Sequence, residues 1–416
     1  MPMLESVKTA FKLPDLRKKI LFTVGMLAIF RLGANVPVPG FKEVGIEAGT
    51  LFNLLDIMSG GALRRMSLFA LSVNPYITAS IIMQLLGMVI PSLERLMREG
   101  VEGRRIVSQY TRYATVLLAV IQGWAYTVSF RQYVVDDSFW TLAQIVLIMT
   151  AGSVLLMWIG ELIQEYGIGN GISLIIFAGI VARFWPGVYT FVRTIGSGGI
   201  EWYVALLFVA AAVAVVAAVV AVNEGQRKIP VQYAKRVVGR RVYGGQSTNI
   251  PLRVNQAGVI PIIFAVSVLS FPPTLAGFFR DSEIVQKIAG FFLPSSIIYM
   301  VLYALMVFVF TYFYTAVTFN PIEIANNLKK YSGFIPGIRP GRPTAEYLDK
   351  VLSRITFSGA LFLTVIALLP NIGSRIFGMT MGFSGTTLLI AVGVAIDTMR
   401  QIEAHLIMRQ YEGFLK

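Results

Sequence analysis

YVALLFVAAAVAVVAAVVAV, residues 203–222, is an unbroken run of twenty residues without a charge, rich in Ala and Val. An α-helix needs about 20 apolar residues to cross a hydrocarbon core of roughly 30 Å, so this run reads as a membrane-spanning helix by itself. Nine further segments show the pattern less cleanly: 20–36, 68–90, 110–130, 139–160, 170–186, 256–279, 296–319, 355–370 and 383–399. Together they predict ten spans. The whole 416-residue chain agrees, with 56% hydrophobic and only 14% charged side chains, against about 25% charged in an average soluble domain. Its mean hydropathy is +0.69. Such a chain cannot cover itself with polar surface, and lipid takes the place of water as its solvent.

The composition also excludes chemistries. Cysteine is absent, which removes disulfides, thiolate nucleophiles and Cys-ligated metal sites. The single histidine, His405, lies beyond the last span, so Cys/His and Ser/His catalytic arrangements and a His-based zinc site are not available. No G-x-x-x-x-G-K-S/T phosphate loop occurs, and any nucleotide energy must come from a partner. The expectation is a protein that is not an enzyme, with no catalytic residue, no metal and no cofactor.

Charge sets the orientation. Lys8, Lys12, Arg17, Lys18 and Lys19 precede the first apolar segment, as in a signal peptide. Arg31 interrupts that segment, however, and it ends Asn-Val-Pro-Val-Pro-Gly rather than in a small-x-small cleavage site. It reads as a retained first helix. With ten spans and both termini cytosolic, twenty-six of the 36 Lys and Arg residues fall on the inner side and nine on the outer, with Arg31 within a span. That is the positive-inside asymmetry.

Two inner loops are far longer than ordinary helix connections. Loop 223–256 carries Arg227, Lys228, Lys235, Arg236, Arg240, Arg241 and Arg253 against Glu224, and its runs Ile229–Tyr233 and Val237–Tyr243 predict a twisted hairpin. Loop 320–354 opens on an Asn-Pro helix start at Asn320, with the helix ending near Ser332 and Gly333. Residues 334–343 then alternate Pro and Gly, which disfavours helix and strand alike and holds Arg339 and Arg342 on a rigid tip. These loops contact either anionic lipid head groups or a large acidic partner such as RNA or an acidic protein surface.

The segment Phe52–Met66 is apolar but too short to span, and Gly60, Gly61, Arg64 and Arg65 break it. It is either a re-entrant half-helix facing a cavity or an amphipathic helix outside the membrane. Polar and helix-breaking groups recur within the spans: Asn74, Pro75, Thr78, Gln84, Asn170, Gly171, Asn255, Gln256, Pro261, Pro272 and Pro273. They fit either adjustable helices around a polar path or interhelical packing.

Taken in order, a series of motifs resembles the SecY family, the central subunits of bacterial Sec protein-conducting channels. They are Phe-Arg-Leu-Gly at 30–33, Ser-Gly-Gly-Ala-Leu at 59–63, Pro-Tyr-Ile-Thr-Ala-Ser-Ile-Ile at 75–82 and Gly-Arg-Arg…Ser-Gln-Tyr-Thr-Arg-Tyr at 103–113. Gly-Ile-Gly-Asn-Gly-Ile-Ser follows at 167–173, Gly-Arg-Arg-Val-Tyr at 239–243, Val-Asn-Gln-Ala-Gly-Val-Ile-Pro at 254–261, Pro-Gly-Ile-Arg-Pro-Gly at 336–341 and Gln-Tyr-Glu at 410–412. The series covers nearly the whole chain.

The resemblance implies an all-α polytopic membrane protein with ten transmembrane helices in two inverted five-helix halves. Residues 1–186 would hold spans 1–5 and residues 187–416 spans 6–10. It implies a re-entrant plug helix at about 56–66, including Ser59, Gly60, Gly61, Ala62 and Arg64. It implies a pore ring of Val73, Ile77, Ile172, Ile176, Ile263 and Ile390, in which Val73 stands where many relatives have isoleucine. The lateral gate would lie between spans 2 and 3 on one side and 7 and 8 on the other, near Thr78, Asn255 and Gln256. Arg227, Lys228, Lys235, Arg240, Arg241, Arg339 and Arg342 would lie in loops that dock the ribosome or the SecA motor. Lys228 replaces a frequent Arg, which removes a planar bidentate contact there.

The implied function is passage of unfolded secretory polypeptides across the bacterial inner membrane and sideways release of membrane segments into lipid. SecE-like and SecG-like subunits, signal sequences and nascent polypeptides would be partners, besides membrane lipid. The rival reading is a secondary transporter of a small solute, whose folds also use inverted repeats and broken helices. The near absence of Asp, Glu and Lys from the spans counts against ion coupling. An intramembrane protease lacks a credible catalytic pair, since Asp397 stands at a helix end and no span holds His or Cys.

Overall fold

The computed structural model describes residues 11–42, 56, 59–198, 201–233, 236–238, 241–243, 247–276, 279, 282–293, 296–377 and 385–414. Lys235, Arg240 and the Phe52–Leu55 part of the re-entrant segment lie outside them. Each of the ten expected spans is a helix: α1 (Pro14–Gly33), α2 (Asn74–Val89), α4 (Val101–Ser129), α5 (Phe139–Tyr166), α6 (Gly171–Gly196), α7 (Trp202–Glu224), α8 (Ile260–Ala276), α10 (Ile297–Thr318), α12 (Arg342–Phe377) and α13 (Gly385–Phe414). Among the described residues three shorter α-helices, α3 (Pro91–Arg98), α9 (Glu283–Phe291) and α11 (Pro321–Lys330), lie between them.

Among the described residues five helices have an apolar window long and clean enough to cross a bilayer unaided, and α2 with α3, bent by 109°, forms a sixth candidate. The others fall short for local reasons. α8 is apolar but only 17 residues long, and α1 opens on Asp15, Arg17, Lys18 and Lys19. Pro186 lies inside α6, which therefore runs ten residues past the end expected from sequence, to Gly196. The missing N–H of Pro186 leaves the Ala182 carbonyl without its usual helical donor, and one turn on the Thr190 hydroxyl donates to the Pro186 carbonyl at 2.9 Å.

In the first half, α5 packs against α1, α2, α4 and α6. One crossing is very close, since a Cβ added to Gly171 would meet the Gly160 carbonyl oxygen at 1.9 Å. In the second half α12 packs on α10 and α13, and α10 on α8. Among the described residues the two sets meet most extensively where α8 packs against α2 and α4 and α13 against α6, and Leu16 of α1 shares a buried cluster with Ile402 and Leu406 of α13. One apolar cluster runs through the middle of both sets, from Phe30 and Ala62 to Leu389 and Val394.

The two long loops differ from expectation in their pairing. Strand β1 (Gln226–Tyr233) pairs antiparallel with β4 (Ser247–Arg253), from Gln226↔Arg253 to Gln232↔Ser247. The expected partner, Val237–Tyr243, instead folds on itself as the short pair β2 (Arg236–Val238) and β3 (Arg241–Tyr243). The second loop supplies β5 (Gly333–Phe334), which pairs with the end of β1. Strand and helix therefore reach into the stretch 334–343 from either side: Phe334 is in β5, and α12 starts at Arg342 with Pro343 in its first turn, where a missing N–H costs nothing. Ile229, Val231 and Leu252 from the first loop share a buried cluster with Leu328, Ile335, Leu348 and Leu352 from the second. At roughly 1.5–3 kcal/mol for each large aliphatic removed from water, that cluster makes the two loops a single small sheet-and-helix unit.

Candidate pore, plug seat and gate

Span 2 does not begin at 68. Residues 59–73 form a chain of turns, and the helix starts only at Asn74, with Val73 as its cap residue. Positive φ at Met66 (46°) and Ser72 (52°) breaks any helix there, and Pro75 sits in the first turn of α2. The described part of the plug is accordingly turn rather than half-helix from Ser59 to Met66, with Asp56 alone helical.

These turns are well fixed. The Gly61 amide donates to the Asp56 carbonyl at 2.8 Å and the Ser67 amide to the Ala62 carbonyl at 2.9 Å. The strip after α1 clamps their far end: the Val38 amide donates to the Met66 carbonyl and the Leu68 amide to the Val36 carbonyl, both at 2.9 Å. Ser59, Gly60, Gly61 and Ala62 are buried, whereas the Arg64 side chain is exposed.

Val73, Ile77, Ile176, Ile263 and Ile390 are all buried, and all five belong to the one apolar cluster that contains Ala62 of the turn. The Ile77 amide donates to the Val73 carbonyl at 3.0 Å, which stacks this pair on one face. Ile172 is the exception. It is half-buried at the edge of the cluster, and its Cδ1 lies 2.6 Å from where a Cβ on Gly160 would be, so it leans on α5. Asn170 beside it caps α6 by accepting from the Ser173 amide at 3.1 Å.

The three expected gate residues are not brought together. The Thr78 hydroxyl donates to the Asn74 carbonyl at 3.0 Å, within its own helix. Asn255 donates to the Asn223 side chain at 2.9 Å and to the Gly258 carbonyl at 3.1 Å, tying α8 to the end of α7. Gln256 accepts from the Arg253 amide at 3.4 Å. Among the described residues a polar contact crosses the α4–α8 seam between Tyr126, a buried residue of α4, and Thr274 of α8. Thr274 also donates to the Ser270 carbonyl at 2.8 Å. A tyrosine inside an apolar span needs a partner for its hydroxyl, and that was the available sequence signal.

In the two long loops Arg227, Lys228 and Arg339 are exposed, and Arg342 pairs with Glu346 at 3.0 Å one helical turn on. Arg241 lies in β3. The backbone at Arg339 is held by the Thr344 hydroxyl, which donates to its carbonyl at 2.8 Å, while Ile335 anchors the tip in the shared core. Asn320 caps α11 as expected, accepting from the Ile322 and Glu323 amides at 3.1 and 3.3 Å. Burial and nearby Lys19 hold the His405 imidazole below its ordinary pKa.

Comparison with known proteins follows the same geometry. A sequence profile of the family described as SecY matches residues 67–399. The protein translocase subunit SecY of Thermus thermophilus is 46% identical over 430 residues, covering 99% of this chain and 98% of that protein. The subunit of the same description in Mycobacterium tuberculosis is 46% identical over 446 residues, covering both chains fully. Among solved structures, a protein-conducting channel matches with a TM-score of 0.69 at 18% identity, covering 96% of each chain. Sec61 in the canine ribosome–channel complex from the endoplasmic reticulum matches at 0.67 and 18%, again covering 96% of each.

Proposed function

The chain belongs to the SecY family and is a multi-pass, protein-conducting channel subunit rather than a small-solute carrier, and from that premise we propose how its geometry is used. Unfolded secretory polypeptides pass through the aliphatic cluster between residues 1–186 and 187–416. Val73, Ile77, Ile176, Ile263 and Ile390 form the constriction, with Ile172 at its edge, and the turn at 56–66 is the plug. The observation that carries this is that Ala62 of the turn shares one cluster with ring residues from α2, α6, α8 and α13. A narrow apolar ring dewets and blocks ions, yet offers a passing chain no lasting polar contact.

Parting of α8 and α10 from α2 and α4 opens a sideways exit. Through it an apolar segment partitions into lipid, each favourable side chain contributing roughly 0.3–0.6 kcal/mol. The sheet unit on the inner face is the docking platform. Ribosome-bound structural neighbours support ribosome docking, and the exposed Arg339 tip suits a SecA-type motor as well. SecE-like and SecG-like subunits, an inner-membrane location and cytosolic termini complete the reading.

The test is Arg339→Glu in vesicles reconstituted with the motor and ATP, scored by protease protection of a secretory polypeptide. Export is expected to be abolished, with melting behaviour unchanged because the side chain is exposed. Export at the parent rate would sink the docking assignment.

A further inference from the structure

The aliphatic seal has no use for a carboxylate, yet the turn that sits against it carries one. Asp56 has a side chain only 6% exposed. Its Oδ1 accepts from the Arg64 amide at 2.8 Å, and its Oδ2 pairs with the Arg183 guanidinium of α6. Its carbonyl accepts from the Ser59 hydroxyl at 3.0 Å. Asp56 is thus both the internal staple of the turn and its link to α6.

A second tie comes from α1, where Arg31 Nη1 donates to the Gly60 carbonyl at 2.8 Å. An arginine within a span is expensive and usually has a specific partner. Gly60 and Gly61 adopt φ of +69° and +89°. A Cβ on Gly60 would stand 3.1 Å from the Gly179 Cα, and one on Gly61 3.2 Å from the Arg183 guanidinium carbon. The turn therefore lies directly on α6. Arg31 and Arg183 are close enough to repel each other, and Asp56 supplies the opposite charge beside them.

Both arginines belong to the first five spans. The contacts that cross to the other half at the gate, α8 against α2 and α4 and Tyr126 to Thr274, involve neither of them. Moving α8 away leaves both ties intact. We propose that Asp56, Arg183 and Arg31 are positioning residues that seat the plug on the N-terminal helices, so that unseating it is an electrostatically opposed step separate from side opening. This rests on the channel reading given above.

The test is closed-state conductance of the purified full-length protein in planar bilayers, with the Ile77→Gly/Ile176→Gly ring variant as the conducting control. Asp56→Asn keeps the shape and the acceptor for the Arg64 amide but loses the charge. It is expected to raise the time-averaged baseline current about tenfold or more, since removing one partner of a buried pair strands the other. Arg183→Gln is expected to do the same, the double variant no more than either single one, and Arg183→Lys to restore a quiet baseline. A parent-like baseline in both single variants while the ring control conducts overturns the seat alone, as does simple additivity of the two. A ring control that never conducts overturns the channel reading and the seat with it.

Discussion

The aliphatic cluster and the polar contacts of the turn lie side by side and meet at Ala62, and in the proposed function they close the same path by opposite means. The ring side chains hold no polar atom and nothing fixes their mutual orientation beyond packing. At the seat a carboxylate, two guanidinium groups and a backbone carbonyl meet in a fixed geometry. On the proposed reading, the difference follows from what each part does when a polypeptide passes. A collar that must reseal around chains of changing shape works with non-directional contacts, because losing and regaining them requires no realignment. A piece that must return to one place needs directional ones, whose strength in a water-poor site depends on geometry.

The largest expected effect comes from breaking the ring itself. Ile77→Gly with Ile176→Gly removes two side chains that are 4% and 1% exposed, at a cost of at least the 2–5 kcal/mol typical of each Ile→Ala cavity. We expect a sustained ion leak larger than that of Asp56→Asn, read as single-channel conductance, because the collar is lost even with the plug seated. A leak smaller than that of Asp56→Asn would reverse the comparison and make the seat the principal seal.

An intermediate effect is expected at the contact that belongs to neither device. Tyr126→Phe deletes one buried hydroxyl and its bond to Thr274, worth about 0.5–1.5 kcal/mol and so a few-fold change in an opening equilibrium. The hydrophobicity a test segment needs in order to enter lipid is expected to fall, while baseline conductance stays at the parent level. Increased baseline current would show that side opening unseats the plug, contrary to the separation of the two steps.

What could be read from the chain depended on whether the signal was local. Lipid demands that backbone groups be satisfied within helices, so ten apolar segments were visible even where a charge, a proline or a short length blurs them, and so was the cap at Asn320, whose partners lie two and three residues away. The pairing of β1 with β5 joins positions about a hundred residues apart, and nothing in either segment announces it. Arg31 was visible only as an interruption, since its partner, the Gly60 carbonyl, is defined by the fold. The turns at 59–73 were hidden because they are apolar and take positive φ at Met66 and Ser72, residues that seldom adopt it. The ring residues are chemically identical to packing residues, and the resemblance to a family, not their pattern, picked them out.

Ile172 offers the smallest and most discriminating change. The other five residues assigned to the ring are buried in the shared cluster, whereas Ile172 is half-buried and leans on Gly160. Removing one methyl by Ile172→Val costs no more than the low end of the 0.5–1.5 kcal/mol typical of Ile→Val in a core. Conductance is expected to match the parent, while Ile263→Val, fully inside the cluster, gives a small but measurable rise. If Ile172→Val leaks as much as Ile263→Val, its side chain swings into the constriction and the collar has six members. If only Ile263→Val leaks, the collar is five residues, and Ile172 serves to hold α6 against α5 behind it.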